Sequence, residues 1–258
     1  MSVLKSFASA FLMYSRIPMP NVEWKEENIR YALCFFPLIG VVIGLFLTGW
    51  YFICERFKVS PMLFGAVSVC IPVIITGGIH LDGYMDVHDA KACMGDKEKK
   101  FQVMKDSRAG AFAVIHMCMY FLLQFACICE VYKINEPCYI GIVACTFTVS
   151  RAYSGLAAVN FKNAAGKGSL MNFTKTAHKN ITSITEVVYI LVLSAAMIVM
   201  SEPVGAVAIA GGIMVFIYYR WFSYREFGGI TGDLAGYFLQ VSELIQLVFI
   251  VCICEVLK

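Results

Sequence analysis

Charge is scarce in this sequence. Of its 258 residues only 15% are Asp, Glu, Lys or Arg, against 59% hydrophobic, and the mean hydropathy is +0.72. A chain this apolar has more hydrophobic surface than one soluble core can bury, so a soluble globular protein is excluded and lipid is its solvent. No Lys/Arg block with interleaved aromatics occurs and the net charge is only +3, which excludes nucleic acid as a partner. The eleven cysteines keep neither metal-ligand nor disulfide spacing and lie mostly in apolar runs, as small hydrophobes do. Internal repeats, low-complexity stretches and Pro/Gly/Ser linkers are all missing, and the loops are too short to fold by themselves. One domain over residues 1–258 is expected.

What the sequence has instead is a succession of apolar runs of roughly 18 residues or more, the length that crosses a bilayer core of about 30 Å. Seven are read, at Leu33–Cys54, Pro61–Ile79, Gly110–Cys129, Cys138–Val159, Ile184–Ser201, Val204–Tyr219 and Ala235–Val256. Within lipid they must be helical, because nothing else there satisfies the backbone, so the fold class is all-α, a polytopic integral membrane protein in the lipid bilayer. The first apolar stretch, Phe7 to Tyr14, is too short to span and ends at Arg16, Pro18 and Pro20 with no small-residue cleavage site. It reads as an interfacial helix rather than a signal peptide, making 1–32 an interfacial segment before a helical bundle over 33–258.

Placing the N-terminus inside puts sixteen of the 21 Lys and Arg on the cytoplasmic side, four outside (Arg56, Lys58, Lys133, Lys258), and Arg151 within a span. That asymmetry is the one expected of a multi-pass protein of the bacterial inner membrane, with the C-terminus outside. The three inner loops, His80 to Arg108, Asn160 to Ser183 and Arg220 to Asp233, also gather the polar residues, so an active site is expected to face the cytoplasm.

The densest chemistry follows the second run, in Gly77-Gly78-Ile79-His80-Leu81-Asp82-Gly83-Tyr84-Met85-Asp86-Val87-His88-Asp89. On a helix, the i, i+4, i+7 spacing places Asp82, Asp86 and Asp89 within an arc of roughly 60°. Three carboxylates so close repel one another unless a cation sits among them, and hard oxygen donors select Mg²⁺, Mn²⁺ or Ca²⁺ over zinc. A solvated acidic face is the plain alternative, but a cluster directly after an apolar span favours the metal. His80 lies on the opposite face of such a helix and suits a general base, a phosphate donor or an ordinary interfacial histidine.

Three weaker signals accompany this cluster. Met104-Lys105-Asp106-Ser107-Arg108-Ala109-Gly110 sets two cations, a carboxylate and a hydroxyl before the third run, where Lys105, Ser107 and Arg108 can hold phosphate oxygens or, for the cations, anchor the topology. Gly228-Gly229-Ile230-Thr231-Gly232-Asp233 makes an oxygen-rich turn before the last run. Inside the spans, Arg151, Glu186 and Glu243 each need a partner, and Arg151 can take Glu243 or a substrate phosphate.

The segment from Gly77 to Gly83 with Asp86 and Asp89 resembles the signature of the cobalamin-5′-phosphate synthase, or adenosylcobinamide-GDP ribazoletransferase, family. Ser15-Arg16-Ile17-Pro18-Met19-Pro20 is similar to the family's Arg-x-Pro-x-Pro, Met104 to Gly110 to its Met-Lys-Asp-Ser-Arg-x-Gly, and Gly228 to Asp233 to its Gly-Gly-x-Thr-Gly-Asp, in the same order. The chain departs from the pattern at Ala90-Lys91-Ala92-Cys93, where the family has glycines, and near Phe161-Lys162, where it has an arginine whose place Lys162 or Lys167 can take. The resemblance implies transfer onto α-ribazole or its 5′-phosphate from adenosylcobinamide-GDP with loss of GMP, one or two Mg²⁺ on Asp82, Asp86 and Asp89, and Asp106 or His80 as proton acceptor. It further implies Lys105 and Arg108 on phosphate oxygens and Thr231 and Asp233 closing the site, and it leaves room for a homo-oligomer or for association with other corrinoid-pathway enzymes. Two other readings differ in what they require. A CDP-alcohol phosphotransferase needs Asp-x-x-Asp-Gly-x-x-Ala-Arg, which is not matched in detail, and a transporter would work through Arg151, Glu186 and Glu243 in the membrane.

Overall fold

The computed structural model describes residues 2–106, 108–164 and 169–257. Among these the chain is helical, without a β-strand and with one isolated bridge between Asn163 and Ile230. It runs α1 (Ser2–Tyr14), α2 (Glu26–Ile29), α3 (Ala32–Phe57), α4 (Pro61–Thr76), α5 (Ile79–Ala92), α6 (Lys97–Met104), α7 (Ala111–Ile134), α8 (Pro137–Asn160), α9 (Ser169–Thr176), α10 (Lys179–Met200), α11 (Glu202–Phe227) and α12 (Gly232–Val256).

Six of the expected spans appear as unbroken helices long and apolar enough to cross a bilayer: α3, α7, α8, α10, α11 and α12. The seventh is broken. The run expected to end at Ile79 stops at Thr76, and α4 and α5 meet at an angle of 96°. Gly77 (φ +67°) and Gly78 (φ +79°) cause the break, since two consecutive left-handed residues cannot continue a right-handed helix and only glycine takes that conformation without steric cost. The start of α4 is equally local in origin: Pro61 occupies its first turn and the Ser60 hydroxyl accepts the Leu63 amide at 3.4 Å.

Small residues set the closest helix contacts, as expected where lipid removes any hydrophobic drive between helices. Gly40 of α3 lies against the Phe147–Thr148 backbone of α8, and Gly44 against Ala144. Gly83 of α5 lies against the Asp233 backbone of α12, and Gly236 of α12 against that of His80. Rows of apolar side chains face outward on α7 (Phe112, Ile115, Met119, Leu122) and α10 (Ile184, Val188, Leu191), the surface a bilayer covers. The N-terminal α1 does more than lie along an interface: Ser6, Ser9, Ala10 and Phe11 are buried, and Phe7 meets Phe35 edge to face at 5.7 Å.

The bundle centre holds an ion pair. Arg151 Nη1 donates to Glu243 Oε1 at 2.7 Å and to the Phe147 carbonyl at 2.7 Å, with Ser150 Oγ on the same carboxylate at 3.2 Å. Both charged side chains are at most 2% exposed. Of the two partners open to Arg151, the structure gives it Glu243, and its guanidinium belongs to the packing of α8 on α12.

Candidate active site

The Gly77-Gly78 break brings α5 to a start with no side chain capping it, at the end of the bundle where the polar loops gather. Two cavities open beside this start and share Met13, Ile79 and Asp82. The smaller, about 120 Å³, lies among α1, α3, α5, α8 and α12 and is mostly apolar, with His80, Asp82, Ser154 and Asp233 as its polar walls. The larger, about 540 Å³ and more open, is lined by Arg16, Gly77, Gly78 and Asp82 with Met85 and Met117.

The carboxylates expected to share a helix face do lie on one helix, and their neighbours differ. Asp82 is exposed to both cavities. Asp86, half-buried one turn later, is near enough to Asp82, Asp233 and Asp89 for their charges to repel its own. Asp89 reaches α7, its Oδ2 accepting the Gly110 amide at 2.6 Å and its Oδ1 the Ala113 amide at 2.8 Å, so it also satisfies the first amides of that helix. Asp233 joins them from α12, because Gly83 has no side chain to hold the helices apart. Among the described residues no three His, Cys, Asp or Glu groups form a ready cage for an ion. The donor set nonetheless suits a hard divalent cation: mutually repelling carboxylate oxygens without thiolates, of which Asp82 and Asp233 stand at a cavity wall.

His80 sits inside, not on a solvent-facing helix side. It is 6% exposed, packs on Phe36 with ring centroids 5.9 Å apart, and neither ring nitrogen has a hydrogen-bond partner among the described residues. A buried polar ring with nothing to bond costs stability unless something else meets it. Because it lines the same cavity as Asp82, a ligand hydroxyl there can satisfy it.

The other candidates divide. Thr231 is buried and its hydroxyl accepts the Leu234 amide at 3.1 Å, capping α12 and so holding Asp233 in place. Lys105, Asp106 and Arg108 lie on an exposed loop and line neither cavity, while Ser107 falls outside the described residues. Asp106 there accepts from Arg108 Nη2 at 2.8 Å, Nε at 3.0 Å and its amide at 3.1 Å, and these bonds hold its carboxyl down to about 2. Arg151 faces Glu243 and not the cavities described above. Glu186 is fully buried against Gly155, its carboxylate oxygens unpartnered among the described residues. Lys162 is tied into the loop crossing, its amide donating to the Tyr224 hydroxyl at 2.8 Å and its carbonyl accepting from Ile230 at 2.8 Å, and Lys167 lies outside the described residues.

Sequence reasoning did not assign a role to Arg16 or to the walls given by Met13, Tyr14 and Ser154. Arg16 was visible as part of a motif, but only the fold, which packs α1 on α3 and bonds the Arg16 amide to the Ile75 carbonyl of α4, shows where it lies.

A family model described as cobalamin-5-phosphate synthase matches residues 6–251. The chain is 43% identical to the adenosylcobinamide-GDP ribazoletransferase of Lachnoclostridium phytofermentans, covering 95% of this chain and 92% of that protein. It is 34% identical to a protein of the same name from Clostridium botulinum (95% and 96%) and 29% identical to one from Listeria monocytogenes (95% and 96%). No solved structure matches.

Proposed function

The chain belongs to the cobalamin-5-phosphate synthase family, and from that premise we propose that it joins adenosylcobinamide-GDP to α-ribazole or α-ribazole 5′-phosphate, releasing GMP. The observation that carries this reading is the gathering of Asp82, Asp86, Asp89 and Asp233 beside two cavities that meet at Asp82. A joining reaction needs two substrates to converge on one reacting centre, and a diphosphate needs its charge neutralised there.

The reaction exchanges a phosphoanhydride bond for a phosphoester bond. A hydroxyl oxygen of the ribazole attacks the phosphorus attached to cobinamide, the bond from that phosphorus to the bridging oxygen breaks, and GMP leaves with the electron pair while the hydroxyl gives up its proton. Asp82, Asp86 and Asp89 are the proposed holders of Mg²⁺, with Asp233 beside them. Bound there, the ion would neutralise charge on the diphosphate and on the departing GMP.

The protein's own groups have distinct tasks. Asp82 stands where both cavities open and orients the reacting groups through its carboxylate. His80 accepts a hydrogen bond from the ribazole hydroxyl and is the better placed of the two candidate proton acceptors, since it lines the cavity beside Asp82, whereas Asp106 lines neither cavity and is engaged by Arg108. Apolar walls from Phe36, Leu33 and Leu239 exclude water from the attacking hydroxyl. The positive-inside asymmetry supports placing this end of the bundle in the cytoplasm, in the inner membrane, with the C-terminus outside.

The test is GMP release by detergent-purified protein given adenosylcobinamide-GDP and α-ribazole, with and without Mg²⁺. Metal-dependent GMP together with a joined corrinoid is the expected result. Folded protein that releases no GMP overturns the reading.

A further inference from the structure

The two cavities differ in kind, and the difference sorts the substrates. We propose that Arg16 and the Gly77-Gly78 turn form a phosphate-binding subsite for the nucleoside-diphosphate substrate in the open cavity, while the enclosed cavity beside His80 receives the base-bearing nucleoside. This assignment rests on the two-substrate reading above.

Arg16 is fixed by its backbone, whose amide donates to the Ile75 carbonyl at 2.7 Å, the last turn of α4. Its side chain then lies across Gly77, where a Cβ would collide with it. Gly77 is thus required for its left-handed backbone, and its lack of a side chain leaves room for the arginine. The Arg16 side chain is exposed on the cavity wall and has no carboxylate partner among the described residues. A planar fork of five donors left unpaired beside a cavity suits phosphate oxygens.

The neighbouring backbone favours the same ligand. A Cβ at Gly78 would meet nothing within 4 Å, so the chain presents a bare backbone to open space there. The 14-residue α5 begins at the next residue without a side-chain cap, directing its first amides and the positive end of its dipole to this place. The enclosed cavity carries its own mark of a ligand: His80, 6% exposed with both ring nitrogens unpartnered among the described residues, lines it.

Charge decides which substrate goes where. Of the groups lining the open cavity, Arg16 and Asp82 are charged and of opposite sign, whereas the enclosed cavity has Asp82 and Asp233 and no lining Lys or Arg. A diphosphate is attracted to the guanidinium, and it meets Asp82 at the junction of the two cavities, where the proposed cation would offset the carboxylate charge; deeper in the enclosed cavity it would meet Asp233 with no cation or guanidinium to offset it. A nucleoside with an aromatic base meets apolar walls from Phe36, Leu33, Ala158 and Leu239, and its hydroxyl meets His80 and Asp82.

Binding of each substrate alone to the purified full-length chain, followed by corrinoid absorbance and calorimetry, separates the two cavities. Arg16→Ala is expected to weaken adenosylcobinamide-GDP on the order of tenfold to a hundredfold and to leave α-ribazole affinity unchanged, which also shows that the variant is folded. Arg16→Lys should recover part of the loss, and Ala158→Leu, which fills the enclosed cavity, should weaken α-ribazole alone. Wild-type protein that joins the substrates while Arg16→Ala binds adenosylcobinamide-GDP undiminished, or loses both ligands equally, overturns the subsite and leaves the function standing. Wild-type protein that binds neither substrate overturns both.

Discussion

Substitution of Gly83 by alanine is expected to damage catalysis out of proportion to the single methyl group added. A Cβ at this position would lie 2.7 Å from the Asp233 carbonyl oxygen and 2.8 Å from its Cα, against about 3.4 Å for ordinary contact. The obstacle is backbone, which cannot rotate aside, so α5 and α12 must separate by about 0.7 Å or tilt. Overpacking of this kind costs about 1–3 kcal/mol of stability. The larger effect is on geometry, because the same contact sets Asp233 beside Asp82. With roughly a hundredfold lost per 1 Å of misplacement at a reacting centre, turnover should fall on the order of tenfold while the protein remains folded. The assay is the steady-state rate of GMP release in detergent, run beside Gly49→Ala, where a Cβ meets nothing within 4 Å on an exposed face of α3 and turnover should hold. Gly83→Ala protein with wild-type turnover would refute the claim that the α5–α12 approach positions the carboxylates.

Other outcomes follow from separate parts of the structure. Arg151→Met strands Glu243 in the bundle centre and should cost about 3–5 kcal/mol in a detergent-unfolding assay, and Arg151→Met with Glu243→Leu should recover most of it; a double variant as unstable as the single one would contradict this. Asp89→Ala removes the acceptor for the Gly110 and Ala113 amides and should lower stability by about 1 kcal/mol in the same assay, apart from any loss of activity. Because Arg108 depresses the Asp106 carboxyl to about 2, the stability from that pair is present above the ordinary carboxylate range and lost as pH falls through about 2. Asp106→Asn should therefore leave the pH profile of turnover unchanged between about pH 5 and 8, and a shifted acid limb would return Asp106 to the role of base. Glu186→Gln should leave turnover near wild type, which a pathway running through the mid-span charges would not permit.

The spans were legible because a bilayer imposes one length and one polarity on every crossing, and six of the seven runs coincide with unbroken helices. The seventh was legible only in part. Its apolar run continues past Thr76, and composition gives no sign that Gly77 and Gly78 both turn left-handed there. The aspartate spacing correctly gave one helix, yet periodicity records only direction around an axis. It gave no indication that Asp89 meets the start of α7, that Asp233 arrives from a helix about 150 residues away, or that the wall opposite α5 buries His80. Thr231 stood in a recognisable turn, and its capping of α12 follows from the ordinary chemistry of a threonine before a helix. Arg16 required the tertiary fold, since its place beside Gly77 depends on the chain doubling back between α1 and α4.

Asp82, where the two cavities meet, is the residue on which the site depends. The most direct measurement is metal-dependent GMP release by Asp82→Ala and wild-type protein purified in parallel, with thermal unfolding recorded for both. Loss of turnover with an unchanged unfolding transition is the expected result. Retained turnover in Asp82→Ala would contradict the assignment of the site.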